Sequence, residues 1–112
     1  MLARYYKYYD VTSDYFRCQL LLILLANCQM RLENYDAAVS YWSQLLSMTI
    51  EIERSADINM SIARCYSAVE EDMSAHEAAT KALGLYKELP KGHRERARKI
   101  KEVRELMEKM DE

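Results

Sequence analysis

The chain has 112 residues, half of them hydrophobic, and its 16 basic and 18 acidic side chains give a net charge of −2. That length suits one domain with a modest core, and the charge gives no general attraction for nucleic acid or membrane surfaces. Only two glycines and one proline occur, so the frequent turns that a β-sheet needs are missing. The composition predicts an all-α domain.

The three cysteines form no CxxC motif. An odd number of scattered cysteines is typical of free thiols that pack as small hydrophobic groups, and we expect Cys28 and Cys65 to be buried in this way. The longest apolar run, residues 20–26, is too short to cross a bilayer, and the Tyr-rich N-terminus has no apolar signal segment. We expect a soluble protein of the cytoplasm or nucleus, without membrane contact.

The first 32 residues predict two helical segments. Residues 1–10 contain LARYYKYY, which predicts a short helix that ends near Asp10. Thr12 and Ser13 are N-cap candidates for the next helix, residues 14–32. The middle of that helix is apolar almost all round, which is typical of a helix covered on several sides.

The next two helices are predicted from apolar residues at three- and four-residue steps. One helix is predicted over residues 35–54, and the other is predicted over residues 56–70. The second helix carries the stripe Tyr35, Ala38, Val39, Trp42, Leu45, Leu46 and Thr49, and the third carries Ile58, Ile62, Cys65, Tyr66 and Val69.

A fourth helix is predicted to begin at Ser74, which forms a capping-box pattern with Glu77, and to reach residue 89, where Pro90 and Gly92 stop it. A final amphipathic helix lies within residues 92–110. The fourth helix carries Ala75, Ala78, Ala79, Ala82, Leu83 and Tyr86, and the last carries Ala97, Ile100, Val103, Met107 and Met110.

The chain also matches itself when it is shifted by 37 residues. Small residues fall on small residues where two helices approach closely, and large residues fall where they fill the gap. The matching pairs are Leu25 with Ile62, Ala26 with Ala63, Cys28 with Cys65, Ala38 with Ala75, and Leu46 with Leu83.

The segment LLANCQMRLENYDAAVSYWSQLL resembles a tetratricopeptide repeat (TPR). It has the Leu25–Ala26 pair, Tyr35, the small Ala38, the bulky Trp42 and the closing Leu46 at the family's spacing. The second copy departs from this pattern, because Asp72 replaces the usual Tyr, Ala79 replaces the aromatic residue, and the period exceeds the usual 34 or so.

The resemblance implies antiparallel helix pairs stacked as a short right-handed superhelix. Residues 14–54 would be the first repeat and residues 56–89 the second. Residues 1–10 would belong to the outer helix of a preceding repeat, and residues 92–110 would form a capping helix with a polar outer face.

The resemblance also implies a protein-binding groove on the concave face. Its main partner-binding residues would be Asn27, Met30, Arg31, Met60 and Arg64, with Leu20, Ile23, Asp57 and Ser67 beside them. Arginine can bind a carboxylate through two hydrogen bonds, so the groove suits a peptide or helix of a partner protein. The Lys that the family's chaperone-tail clamp requires is replaced by Ile23.

The motifs of common catalytic sites are missing from the sequence, including GxSxG, GxGxxG, a Walker-type loop and HExxH. His76 and His93 occur alone in polar, exposed contexts. We therefore expect an interaction scaffold rather than an enzyme, with no cofactor, no metal and no small-molecule substrate.

Two other surfaces have alternative interpretations. The tyrosines at 5, 6, 8 and 9 either pack on the apolar helix or mediate self-association. The basic residues from Lys91 to Arg104 favour a solvated helix with pairs such as Arg98–Glu102 and Lys101–Glu105. An acidic partner is the lesser alternative, and nucleic acid is disfavoured because stacking aromatic residues are lacking there. A purely structural role in a larger helical assembly stays open.

Overall fold

The computed structural model describes the backbone of residues 2–111 and the side chains of residues 14–110. Within that part every regular element is an α-helix, which confirms the all-α prediction. The helices are α1 (Leu2–Arg31), α2 (Tyr35–Ser47), α3 (Ile52–Ala68), α4 (Asp72–Glu88) and α5 (Arg96–Asp111).

The predicted break near Asp10 is wrong, because α1 runs without interruption from Leu2 to Arg31. This stretch has no proline or glycine. Thr12 and Ser13 lie inside the helix, where such residues lower helix propensity by a fraction of a kcal/mol but do not end a helix. The side chains of the N-terminal tyrosines lie outside the described residues.

The boundary between α2 and α3 also differs from the prediction, because α2 ends at Ser47 rather than near residue 54. The Thr49 hydroxyl donates to the Leu45 carbonyl at 2.7 Å. The Met48 carbonyl accepts hydrogen bonds from the side chains of Tyr15 and Gln19 on α1. These partners satisfy carbonyls that further helix would have used, so the chain turns and α3 begins at Ile52.

The turns after α1 and α3 are copies of each other, displaced by 37 residues. In the first turn, the Asn34 N–H donates to the Gln29 carbonyl at 2.8 Å and the Glu33 N–H donates to the Met30 carbonyl at 3.1 Å. This pair of bonds is a Schellman motif. In the second turn, the corresponding pairs are Glu71 with Tyr66 at 2.9 Å and Glu70 with Ser67 at 3.1 Å. The repeat detected in the sequence is therefore present as a repeated helix–turn–helix.

The second turn also explains why the predicted capping box is absent. The Schellman motif places Glu71 at the N-cap of α4, and no side chain caps that helix end. The helix then begins at Asp72, so Ser74 falls inside its first turn. The predicted end of α4 is confirmed, since the helix stops at Glu88, just before Leu89 and Pro90.

Alanines lie where paired helices approach most closely. Ala26 on α1 and Ala38 on α2 are fully buried, and so are their repeat equivalents, Ala63 on α3 and Ala75 on α4. Trp42 fills the space between the first pair of helices, whereas the second pair has Ala79 at that position. Short side chains allow the two backbones to approach closely, and α3 and α4 accordingly form the most extensive interface in the described structure.

The helices pack chiefly in chain order. Each contacts the next, and α5 also contacts α3, so that α3 is surrounded by α2, α4 and α5. On α5, the predicted stripe is confirmed at Ile100, Val103, Met107 and Met110, of which Val103 is fully buried, whereas Ala97 is exposed. The described chain measures 60 × 37 × 18 Å along its principal axes.

Trp42 is buried between α1 and α2, and we expect Trp42→Ala to lower the free energy of unfolding by about 3–5 kcal/mol because it leaves a large cavity. Urea denaturation followed by circular dichroism measures this change. Phe16→Ala is the control, since Phe16 is 59% exposed and its loss should cost less than about 1 kcal/mol. Equal effects of the two changes would contradict this account of the core.

Glu33 and Glu70 both have a φ of 61°, the left-handed conformation in which the Cβ of an L-residue is crowded. Glycine has no such penalty, so we expect Glu33→Gly and Glu70→Gly each to stabilise the fold by about 1 kcal/mol. The same denaturation measurement tests this. Glu77 lies inside α4, where glycine is unfavourable, so Glu77→Gly should give no gain; stabilisation by that control alone would contradict the prediction.

Candidate protein-binding surface

The face of α1 opposite Ala26 is exposed and partly apolar. Leu20 and Leu24 lie on it one turn apart and are 50% and 59% exposed. Asn27 and Arg31 continue the same face and are also exposed. An apolar pair followed by an amide and a guanidinium suits a protein ligand better than a small polar one.

A shallow hollow lies on this face and brings together three of the five predicted binding residues. Its lining residues are Leu24, Asn27, Cys28, Met30 and Arg31. Met30 is half-buried because it also packs on α2, where the Trp42 indole N–H donates to the Met30 sulfur at 3.4 Å. Ile23 likewise packs against the core. The floor of the hollow is thus held by the core.

The two predicted binding residues on α3 have different fates. Arg64 is exposed, but it does not line the hollow on α1. The prediction that Met60 faces a ligand is wrong, because its side chain is buried in the core. The equivalent position on α1 is the half-buried Ile23. The difference arises because α3 has three neighbouring helices and α1 has α2 as its main neighbour among the described residues.

Asp57, which was predicted to lie in the groove, instead belongs to a polar cluster between α3 and α5. The Lys99 ammonium lies 3.0 and 3.2 Å from the two carboxylate oxygens of Asp57 and 3.0 Å from Glu53. It also lies 3.6 Å from Glu95 and 5.7 Å from the centre of the Tyr86 ring. The Tyr86 hydroxyl donates to Asp57. The Lys99 side chain is only 12% exposed, so these contacts replace the water that it loses.

The cluster shifts the acidity of its members. The Lys99 ammonium lowers the pKa of Glu53, chiefly through their hydrogen bond. The pKa of Lys99 is raised, because the bonds to Glu53 and Asp57 outweigh the opposing effect of its burial. Burial, reinforced by the bond to Asp57, raises the pKa of Tyr86 well above its ordinary range. Near neutral pH Glu53 is therefore an anion, Lys99 a cation and Tyr86 a neutral phenol.

His93 is also part of this arrangement, which corrects the expectation that it occurs alone and exposed. Its Nε2 lies 3.1 Å from a Glu53 carboxylate oxygen, and the side chain is 26% exposed. His76 is likewise partly buried. Sequence reasoning missed the cluster because Glu53 lies 40 residues from His93 and Asp57 lies 42 residues from Lys99, and charged residues in helices are usually solvated.

The rest of the α5 surface carries exposed basic side chains up to Arg104, with glutamates beside and after them. Arg98 pairs with Glu95 at 3.0 Å and with Glu102 at 3.9 Å, and the Arg98–Glu102 pair confirms a predicted one. The Arg96 guanidinium donates to the Lys87 carbonyl at 3.2 Å. A cleft between the end of α4 and α5 is lined by Lys87, Arg96, Ala97, Ile100, Lys101, Arg104, Glu105 and Glu108.

The cysteines divide into one buried thiol and two exposed thiols. Cys65 is fully buried, as predicted, and burial raises its pKa to about 11. Cys28 occupies the equivalent position on α1 but is exposed, so the prediction of its burial is wrong. Cys18 is exposed as well. Across the described residues, no group of three or more His, Cys, Asp and Glu side chains could hold a metal ion.

In comparisons with known proteins, neither a family model nor a curated protein nor a solved structure matches this chain. None of the described helices is both long enough and apolar enough to cross a membrane.

The polar cluster predicts how stability depends on pH. The pKa of folded Glu53 lies below its ordinary 4.5. The stabilisation that ionised Glu53 gives to the fold is therefore present above about pH 4.5, and it is lost as the pH falls through the folded pKa. The pKa of folded Lys99 lies above its ordinary 10.5. The stabilisation that charged Lys99 gives to the fold is therefore present below about pH 10.5, and it is lost as the pH rises through the folded pKa. Stability should be greatest between these limits.

Urea midpoints of the wild-type chain and of Glu53→Gln at pH 7, 5 and 3.5 test the acid side. Glu53→Gln should be less stable at pH 7, and the difference should shrink as the pH falls, because protonation of Glu53 removes the charge that Gln also lacks. Glu77→Gln is the control, because Glu77 forms only an exposed pair with Lys81. A difference that stays constant across the three pH values would contradict the assignment.

Proposed function

We propose that this chain is a protein-interaction module of the TPR type, which binds a helix or peptide of a partner protein on the exposed face of α1 and on Arg64 of α3. The observation that carries the proposal is the hollow on α1, where exposed Leu24 lies beside Asn27 and Arg31. The repeated helix–turn–helix supports the TPR resemblance, since both turns share one hydrogen-bonding pattern.

The opposite side of α1 supports this role because it fixes the position of the binding face. Ala26 is fully buried on the side that packs on α2, and the Met30 sulfur accepts a hydrogen bond from the Trp42 indole N–H. A face held on a packed helix loses little conformational entropy when a ligand binds, which favours affinity. Leu20 and Leu24 would provide apolar contact area at the centre of the surface.

The polar residues of the surface suggest the chemistry of the partner. Arg31 and Arg64 are exposed, and neither takes part in an ion pair within the described structure. Guanidinium groups bind carboxylates in a planar, two-bond geometry. We therefore expect a ligand that combines apolar side chains with Asp or Glu, oriented by hydrogen bonds to Asn27.

The proposal is tested by selecting binders from a phage-displayed peptide library on the wild-type chain and titrating the best peptide by calorimetry. Leu24→Glu should weaken binding at least tenfold, because it places a charge in the apolar contact. Arg31→Glu should weaken an acidic peptide to a similar degree, because attraction becomes repulsion. Both variants should keep the circular dichroism spectrum of the wild-type chain, since both side chains are exposed.

Arg104→Glu is the matched control for charge reversal, because Arg104 is exposed on α5 and lines the other cleft. It should leave the affinity unchanged. Peptides that bind Leu24→Glu and Arg31→Glu as tightly as wild type, or that lose affinity only in Arg104→Glu, would contradict the proposal.

A further inference from the structure

Equivalent positions of the two repeats differ sharply in exposure on one side of the helix. Leu21 of α1 is 55% exposed, whereas its equivalent in α3, Ile58, is 3% exposed. Cys28 of α1 is exposed, whereas its equivalent, Cys65, is 0% exposed. From Leu21 to Cys28 this helical face is therefore open to solvent, whereas it is covered from Ile58 to Cys65 in the second repeat.

The helix that lies beside this face of α3 is α2, whose Ser43 and Leu46 line a hollow together with Ile62 of α3. The three helices around α3 are α2, α4 and α5. α5 reaches α3 through Glu53 and Asp57, which lie roughly a third of a turn from the Ile58–Cys65 side at 100° per residue. α4 packs on the side of α3 that carries Ala63. The equivalent side of α1 carries Ala26 and packs on α2. The Ile58–Cys65 side thus remains for α2, which runs antiparallel to α3 after a short connection.

The open face of α1 has the spacing of a coiled-coil seam. Apolar side chains and thiols alternate along it at steps of three and four residues, the a and d positions of a heptad. We call this set the α1 stripe: Cys18, Leu21, Leu25, Cys28 and Leu32. All are exposed except Leu25, which is half-buried.

Four members of the stripe are symmetric about residue 23, and the fifth, Leu32, would face Asp14 of the second copy. If a second α1 runs antiparallel across it, Leu21 of one copy faces Leu25 of the other, and Cys18 faces Cys28. This is the a-against-d pairing of antiparallel helices, and no charged side chain falls in these layers. A second copy of the chain therefore fits its own stripe, and such a two-fold contact closes without leaving a further open surface.

We propose that two copies of this chain associate through antiparallel pairing of their α1 stripes, so that α1 of each copy covers the face that α2 covers on α3. The contact repeats between two copies the kind of packing that α2 makes on α3 within one chain. Its centre lies on a different side of α1 from Leu24, Asn27 and Arg31, although Cys28 borders both surfaces, and it does not depend on the proposed function.

Sedimentation velocity of the full chain over a range of micromolar concentrations tests the association. The wild-type chain should form a dimer. Leu21→Glu should raise the dissociation constant at least tenfold, because the two-fold contact receives two charges. Leu24→Glu is the matched control, since Leu24 has nearly the same exposure on the same helix but lies off the stripe, and it should leave the dimer intact.

Thiol cross-linking with a short bismaleimide tests the antiparallel register. The wild-type chain should yield a covalent dimer, whereas Cys18→Ser and Cys28→Ser should each abolish it. In a dimer of Cys28→Ser, for example, the two remaining Cys18 side chains lie about 15 Å apart along the helix axis at 1.5 Å per residue, which is too far for a short cross-linker. Cys65 is buried and should not contribute.

A monomer at all concentrations overturns the proposal, and so does a dimer that resists Leu21→Glu or that dissociates in Leu24→Glu instead. Cross-linking that persists in Cys28→Ser overturns the antiparallel register. The result is separable from the proposed function, because Leu24→Glu should weaken peptide binding while preserving the dimer, and Leu21→Glu should weaken the dimer while preserving peptide binding.

Discussion

The close approach of α3 and α4 is the contact on which the rest of the structure depends. Ala63 on α3 and three alanines of α4 are fully buried, namely Ala75, Ala79 and Ala82, and these two helices form the most extensive contact in the described structure. Because an alanine side chain is a single methyl group, the two helix backbones can lie close together, and they make van der Waals contact over a long stretch. That pair forms a base on which α2 packs from one side and α5 from the other.

The docking of α5 shows how a strongly charged helix can belong to a core. Val103 is its one fully buried apolar residue among those described, so apolar area alone gives modest attachment. Lys99 adds contacts with Glu53, Asp57 and the Tyr86 ring, all of which α3 and α4 hold in place. An amine shielded from water needs such partners, which makes the position of α5 specific as well as stable.

The first helix pair contrasts with the second because it is covered on fewer sides. α3 has three neighbours, whereas α1 has α2 as its main neighbour, so residues of one repeat lie on the surface while their equivalents lie in the core. The exposed apolar residues of α1 follow from this asymmetry, since a pattern suited to burial is left open to solvent. Both proposals for binding concern this helix for that reason.

Local sequence patterns determined much of the structure. The alternation of apolar and polar residues at helical spacing identified the stripes of α2, α4 and α5, and Pro90 marked the end of α4. The shift that superimposes Cys28 on Cys65 revealed the repeat, which the turns at Glu33 and Glu70 then reproduced. These features depend on residues close together in the chain, where helix geometry fixes their relation.

Only the tertiary structure decided which side chains face outward. Cys28 and Cys65 have equivalent sequence contexts, yet one is exposed and the other buried, because burial depends on how many helices surround the position. Both Met60 and Asp57 were expected on a binding face. Met60 is instead buried in the core, and Asp57 binds Lys99 of α5. Contacts between residues forty positions apart leave no periodic trace in a sequence, since their partners are set by the packing of whole helices.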